Sequence, residues 1–215
     1  MTIRVFITGG TFDKDYDEIR GELHFTESHL PDLLEQGRAR LDITFRTLMM
    51  VDSLDLTDQD RELIVRSCER TDEQRIVITH GTDTMVKTAE ALAARGLDKT
   101  IVLTGAMIPI AFGSSDGLFN LGSALSFAQA LPTGVYIAMN GRYFDWDNAR
   151  KNRDTGVFEE ISSRERSARR PCPGAPGRYP SPPGAGRPSP GSAPRRSLGP
   201  RGSTGRGEWT PWCWP

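Results

Sequence analysis

The 215-residue chain predicts an α/β fold: a three-layer sandwich with a mostly parallel, Rossmann-like sheet, followed by a disordered C-terminal tail. Three observations predict it. Short continuous apolar runs alternate with helix-length segments, as in parallel strands buried on both faces and joined by helices. Two of those runs, Val5-Phe6-Ile7 and Ile76-Val77-Ile78, lead at once into hydroxyl residues and glycine, the pattern of a turn at a strand's carboxyl end. The composition then changes abruptly near Ser162.

The elements follow in order. Ile3–Thr8 reads as the first strand, followed by a polar loop through about Glu27 that is rich in Asp, Gly and Glu. Pro31–Ala39 is a short helix, with Pro31 suited to a first helical turn. Ile43–Leu48 is the second strand. Thr57–Arg70 is a helix; Thr57 is its N-cap, with Asp60 three residues on. Arg75–Thr79 is the third strand, and Asp83–Arg95 a helix ended by Gly96. Thr100–Thr104, a helix over Asp116–Ala130 and a strand over Val135–Met139 complete the alternation. The expected core is Val5, Ile7, Ile43, Phe45, Ile64, Val77, Ile78, Met85, Leu92, Val102, Leu103, Leu121, Leu125, Val135, Ile137 and Met139.

Two unlike regions hide behind the net charge of -1. Residues 1–161 carry 17 Lys/Arg against 26 Asp/Glu, a sum of -9, and form the expected catalytic domain. Residues 162–215 carry ten Arg and two Glu, a sum of +8, with 12 of the 15 prolines. That second region has no Ile, Val, Met or Phe, so it cannot bury enough apolar surface to offset the entropy of ordering. Its Arg, Pro, Gly and Ala are GC-rich-codon residues, which is what a GC-rich gene read out of frame from near Ser162 yields. The acidic domain argues against a nucleic-acid partner, because phosphate binding needs a basic face. No apolar stretch reaches membrane-spanning length, and Met1-Thr2-Ile3-Arg4 has no signal-peptide pattern. Cys68 is the one cysteine of the acidic domain; Cys172 and Cys213 fall in the tail without metal-ligand spacing. The expectation is a reduced, cytoplasmic protein that uses no metal and no cofactor.

Four stretches carry the chemistry: Thr8-Gly9-Gly10-Thr11, Thr79-His80-Gly81-Thr82-Asp83-Thr84, Ser115-Asp116-Gly117-Leu118-Phe119-Asn120, and Lys151. Gly9-Gly10 lets the backbone turn sharply and approach a ligand. It lacks the G-x-G-x-x-G spacing of a dinucleotide binder. Thr82 and Asp83 open the helix, where free main-chain N–H groups can bind an anion, and Thr82 serves either as a cap or as part of a site. A lysine drawn beside a threonine can take its proton, with an aspartate orienting the amine. His80, alone beside a strand end, reads as structural.

These blocks, together with Gly105-Ala106-Met107-Ile108-Pro109, resemble the signature segments of the bacterial-type L-asparaginases, in their short, single-domain form, over roughly residues 3–161. The resemblance implies hydrolysis of L-asparagine to L-aspartate and ammonia through a threonine nucleophile and an acyl-enzyme. It implies Thr11 as nucleophile, a Thr82–Lys151–Asp83 triad, and Tyr16 as the loop tyrosine beside the nucleophile. Gly10, Asp52, Ser53, Gly81 and Ala106 would line the substrate seat, with Ser53 on the substrate carboxylate. Asp52 and Asp83 both stay open as partners of the α-amino group, and the order in which the two threonines act stays open as well. Leu54 stands where full-length members have Gln, and nothing matches their second domain, which completes the site across a dimer interface. A homo-oligomer with a small-molecule substrate is therefore expected. Two other readings keep the scaffold: the amidase domain of a tRNA-dependent amidotransferase, and a non-catalytic asparagine or aspartate binder.

Overall fold

The computed structural model describes residues 1–169. Five parallel strands and one antiparallel strand form the central sheet. They are β1 (Thr2–Gly9), β4 (Asp42–Val51), β5 (Arg75–Thr79), β6 (Thr100–Thr104), β7 (Gly134–Met139) and β8 (Arg142–Asp145), in the order β4-β1-β5-β6-β7-β8. Only β8 runs antiparallel to its neighbour. Two short ribbons stand apart from the sheet: β2 (Lys14–Asp17) with β3 (Glu22–Phe25), and β9 (Arg150–Lys151) with β10 (Phe158–Glu159).

The central strands β5 and β6 are apolar through their middles because helices cover both faces. Ile76 and Ile78 pack with Ile64, Val65 and Cys68 of α2 (Asp58–Arg70) and with Met85, Ala89 and Leu92 of α3 (Met85–Arg95). Val77, between them, packs with Leu30 and Leu33 of α1 (Leu30–Gln36) and with Leu121, Leu125 and Ala128 of α4 (Gly117–Ala130). The period-2 pleat thus sorts one strand into both layers. Thr57 and Asp60 form a reciprocal capping box on α2, and Gly96 ends α3 in the left-handed conformation.

Two crossovers step the same way across the sheet, β5 to β6 through α3 and β6 to β7 through α4, yet the two helices lie on opposite faces. The α4 crossover therefore has the opposite hand to the α3 crossover, a rare arrangement in parallel sheets. It brings the amino end of α4 back toward the strand ends from the far face.

Three expectations are corrected. Phe45 is half-exposed and Ile43 only partly buried, because β4 is an edge strand hydrogen-bonded to β1 alone. The polar loop after β1 is an ordered hairpin, β2–β3, turned by Asp17, whose Oδ1 accepts from the Ile19 and Arg20 amides, and by Gly21 at φ +71°. Beyond Ile161 the chain continues as α5 (Ser163–Arg169). Arg166 there donates to Asp145 at 2.5 Å and to Asp147, a fully buried carboxylate, at 3.3 Å. The rest of the expected tail, 170–215, with Cys172 and Cys213, lies outside the described residues.

A buried carboxylate deprived of its cation is destabilising. A chain ended after Arg169 should therefore melt at the same temperature as the full chain. One ended after Ile161, which leaves Asp147 without Arg166, should melt lower by several degrees. Thermal melts of the three chains check this; equal midpoints for all three would remove α5 from the folded domain.

Candidate active site

The candidate site lies at the carboxyl edge of the sheet, where β4 and β5 flank β1 and sites of open α/β sheets form. The backbone there is packed without room for side chains. Gly10 has φ +83°, and a Cβ on it would overlap the Gly81 amide nitrogen. A Cβ on Gly81 would sit 2.6 Å from Ser53 Oγ, and one on Gly105 would overlap the His80 carbonyl oxygen. The turns after β1, β4, β5 and β6 thus touch main chain to main chain. Thr11, next to Gly10, opens a 3-10 turn, Thr11–Asp13, and is half-buried.

On that stack the triad assembles. Lys151 Nζ donates to Thr82 Oγ1 at 2.8 Å and to Asp83 Oδ1 at 3.0 Å. The lysine side chain is only 14% exposed and Thr82 is buried, so the contacts are not those of a solvated surface pair. Thr82 does not cap a helix; α3 begins at Met85, with Thr84 at its N-cap. Thr84 has another task. Its Oγ1 donates to the Ser53 carbonyl at 2.7 Å and accepts from buried Arg61, which also donates to the Leu56 carbonyl at 3.0 Å.

Ser53 is buried, and its Oγ has no partner among the described residues. A buried hydroxyl without a hydrogen bond is costly, so such a group points to a ligand or a water. Asp52 beside it accepts from the Leu54 amide at 2.9 Å and from Lys14 of the β2–β3 hairpin. Burial pushes the Asp52 carboxyl up, but the Leu54 amide, Lys14 and the charge of Lys151 outweigh it and hold the group below its ordinary value. Ala106, fully buried, follows Gly105 behind Thr82. Tyr16 sits on the hairpin, about half-exposed, with its ring edge-on to Phe112. The structure thus brings Gly10, Ser53, Gly81, Thr82, Asp83 and Lys151 together, and leaves Tyr16 on the overlying ribbon.

The Ser115–Asn120 block proves to be a brace. Asp116 accepts from the Met107 and Ile108 amides at 2.9 and 3.1 Å, and Asn120 Nδ2 donates to the Gly105 carbonyl and to Asp116. Sequence reasoning missed Lys14, Arg61 and Asn140 as parts of the site. Nothing local in the sequence marks the first two, whereas Asn140-Gly141 is a recognisable two-residue turn. Asp13 is a buried carboxyl pushed up by burial. It accepts from Ser28 Oγ at 2.8 Å and the His29 amide at 3.1 Å, joining the hairpin's base to α1.

His80 is structural. Its Nδ1 faces the Gly81 carbonyl at 2.8 Å and so carries the proton, leaving Nε2 to accept from Thr88 at 2.8 Å. The Cys68 thiol is buried and pushed up to about 12, which makes it a poor nucleophile. Among the described residues, no three His, Cys, Asp or Glu side chains gather into a metal-binding set, and no helix is long and apolar enough to cross a membrane.

Residues 2–166 match the family model described as "Asparaginase, N-terminal". The chain belongs to the asparaginase family. It is similar to L-asparaginase 1 of Escherichia coli K12, with 34% identity over 172 residues, covering 75% of this chain and 50% of that protein. A component of the glutamyl-tRNA(Gln) amidotransferase of Methanococcus vannielii is 34% identical over 154 residues, covering 66% of this chain and 35% of that one. The solved thermostable L-asparaginase of Thermococcus kodakarensis superposes with a TM-score of 0.67 at 31% identity, over 75% of this chain and 51% of that one. This asparaginase-family chain spans about half the length of the L-asparaginases it matches.

Burial drives His80 from 6.5 down to about 4; the bond to Gly81 raises it and the charge of Arg61 lowers it further. Between those values the unfolded chain binds a proton that the folded chain does not. The His80 contribution is therefore complete above pH 6.5 and declines as the pH falls toward 4, by roughly 3 kcal/mol in all. Urea denaturation at pH 7 and pH 5 should show this loss in the native chain and a smaller one in His80→Gln. An NMR titration of the His80 ring that turns near 6.5 would contradict it.

Proposed function

We propose that this protein hydrolyses L-asparagine to L-aspartate and ammonia through a threonine nucleophile. The observation that carries the reading is the bridge from Lys151 to Thr82 and Asp83, set on the same glycine contact that carries Thr11. In this reading the unpartnered Ser53 hydroxyl and nearby main-chain amides take the substrate α-carboxylate, and Asp52 or Asp83 takes its ammonium. Thr11 Oγ attacks the side-chain amide carbon. Its proton passes by way of Thr82 to the Lys151 amine, and Asp83 steadies the ammonium so formed. Main-chain N–H groups facing the developing oxyanion contribute roughly 3 kcal/mol each in hydrolases of this kind. Lys151 returns the proton to the departing nitrogen, which leaves as ammonia. Water then attacks the Thr11 ester, giving aspartate and free Thr11.

No step uses a cofactor or a metal. We place the reaction in the cytoplasm, and the working unit as a homo-oligomer. Transamidation of tRNA-bound substrate is disfavoured by the charge of -9 on residues 1–161.

Thr11→Ala and Thr82→Ala should each lower ammonia release from asparagine at least about 100-fold while leaving the melting midpoint unchanged. Lys151→Met should lower kcat more than it raises KM. Because the triad acts as one unit, Thr82→Ala combined with Lys151→Met should cost no more than the worse single change. Ser53→Ala should raise KM and leave kcat within a few-fold. Thr11→Ala retaining most of its activity would end the nucleophile assignment. Release that required tRNA-bound substrate would favour the amidotransferase reading instead.

A further inference from the structure

We propose that Asn140, held in place by Asn120, is a positioning residue for Lys151. The inference rests on the reading of Lys151 as the proton carrier. Lys151 lies on β9, a two-residue strand that pairs with β10 and is not part of the six-stranded sheet. So short a ribbon cannot fix its own place. The Phe158 ring is buried in the α2/α3 layer and anchors the ribbon's depth, but a ring among apolar groups leaves direction along the ribbon loosely set.

The directional tie is made by side-chain amides. Phe158, the register partner of Lys151, donates its amide to Asn140 Oδ1 at 3.3 Å. The Asn140 amide donates to Asn120 Oδ1 at 3.0 Å. Asn120 is fully buried at the start of α4, and its Nδ2 donates to the Gly105 carbonyl at 2.9 Å and to Asp116 Oδ2 at 2.8 Å. One path of hydrogen bonds therefore runs from the turn that backs Thr82, through the two asparagines, to β10, the strand paired with the one that carries Lys151. Asparagine suits position 140 twice over. It accepts the left-handed backbone, φ +56°, of the turn between β7 and β8, and its side chain offers an acceptor beside the main-chain donor. No hydrophobic residue of similar size would do both.

Asn140→Gly isolates the tie, because glycine keeps the positive φ without strain and removes only the side-chain amide. It should fold with the native circular dichroism, lower kcat for asparagine roughly tenfold or more, leave KM within about twofold, and shift the pH profile of kcat. Asn140→Asp, which keeps an oxygen in place, should recover most of kcat. Asn120→Ser tests the same tie from its other end, should Asn140→Gly not fold. A readout independent of hydrolysis is acetylation of Lys151 by acetic anhydride, followed by peptide mass spectrometry against Lys87 and Lys99 as internal references. It should rise several-fold in Asn140→Gly and return in Asn140→Asp. If the native chain releases no ammonia, the asparaginase reading fails while the labelling still decides the tie. Unchanged Lys151 labelling in a folded variant overturns the proposal, whatever happens to kcat.

Discussion

The contact of Gly10 with Gly81 is the constraint on which the rest depends. Two turns from neighbouring strands meet there main chain to main chain; a methyl group on Gly10 would overlap the Gly81 backbone, and one on Gly81 would overlap Ser53. Packed interiors do not relax by the angstrom or more that such an overlap demands. Because the turns touch, Thr11 and Thr82 are presented from adjacent strands, and Ser53 is pressed against Gly81 from the other side. The threonines at the strand ends hold the platform laterally. Thr8 donates to the Thr79 carbonyl at 2.7 Å, and Thr104 to the Ala138 carbonyl at 2.9 Å. Their hydroxyls are spent on the sheet, which separates them from Thr11 and Thr82 although all four stand at strand ends.

The crossover of unusual hand serves the same platform. A helix connecting β6 to β7 on the α3 side would lead the chain away from the face that α4 occupies. With α4 on the other face, Asp116 and Asn120 reach the turn after β6 from below, and Asn120 reaches the β7–β8 turn as well. Asp116 accepts three main-chain or side-chain donors, a set that suits an ionised carboxylate. The motif that reads in the sequence as a candidate part of the chemistry is thus what makes the reversed connection stable and what ties two turns to each other.

How much of this was legible in the sequence follows from which forces are local. The central parallel strands were legible because burial on both faces makes them continuous apolar runs, as in Ile76-Val77-Ile78. The α2 cap was legible because Thr57 and Asp60 lie one turn apart and bond each other. The β2–β3 hairpin was not, because its strands, Lys14–Asp17 and Glu22–Phe25, are only four residues long and too rich in charged residues to mark a strand. Phe45 was misplaced because an apolar residue in a strand carries no sign of whether a neighbour strand will flank it. In the site, the residues Thr82 and Asp83 were legible from their place after a strand. Their bond to Lys151, nearly seventy residues away, came from resemblance alone. Lys14 and Arg61 gave no such sign, since hydrogen bonds between distant turns leave no periodicity, and Asn140-Gly141 showed a turn but not what it holds. α5 was hidden by composition, in which Arg166 reads as one more arginine of a basic tail until Asp147 is seen beneath it.

The charges around the platform alternate: Lys14, Asp52, Lys151, Asp83. An uncompensated carboxylate or ammonium in a half-buried cleft would be costly, and the alternation removes that cost in the absence of substrate. It also limits how the proposed substrate binds. An amino acid brings one ammonium and one carboxylate, so it adds no net charge to the cleft. Its ammonium must share a carboxylate that already holds a lysine. Sharing Asp83 would loosen Lys151, the proton carrier of the proposed mechanism. Sharing Asp52 would instead loosen Lys14, which sits on the β2–β3 ribbon with Tyr16. The second arrangement leaves the triad intact and couples occupancy of the seat to the position of the ribbon above it. Under the proposed function, electrostatics makes Asp52 the better partner for the substrate's α-amino group, which would tie occupancy of the seat to Lys14 and the β2–β3 ribbon.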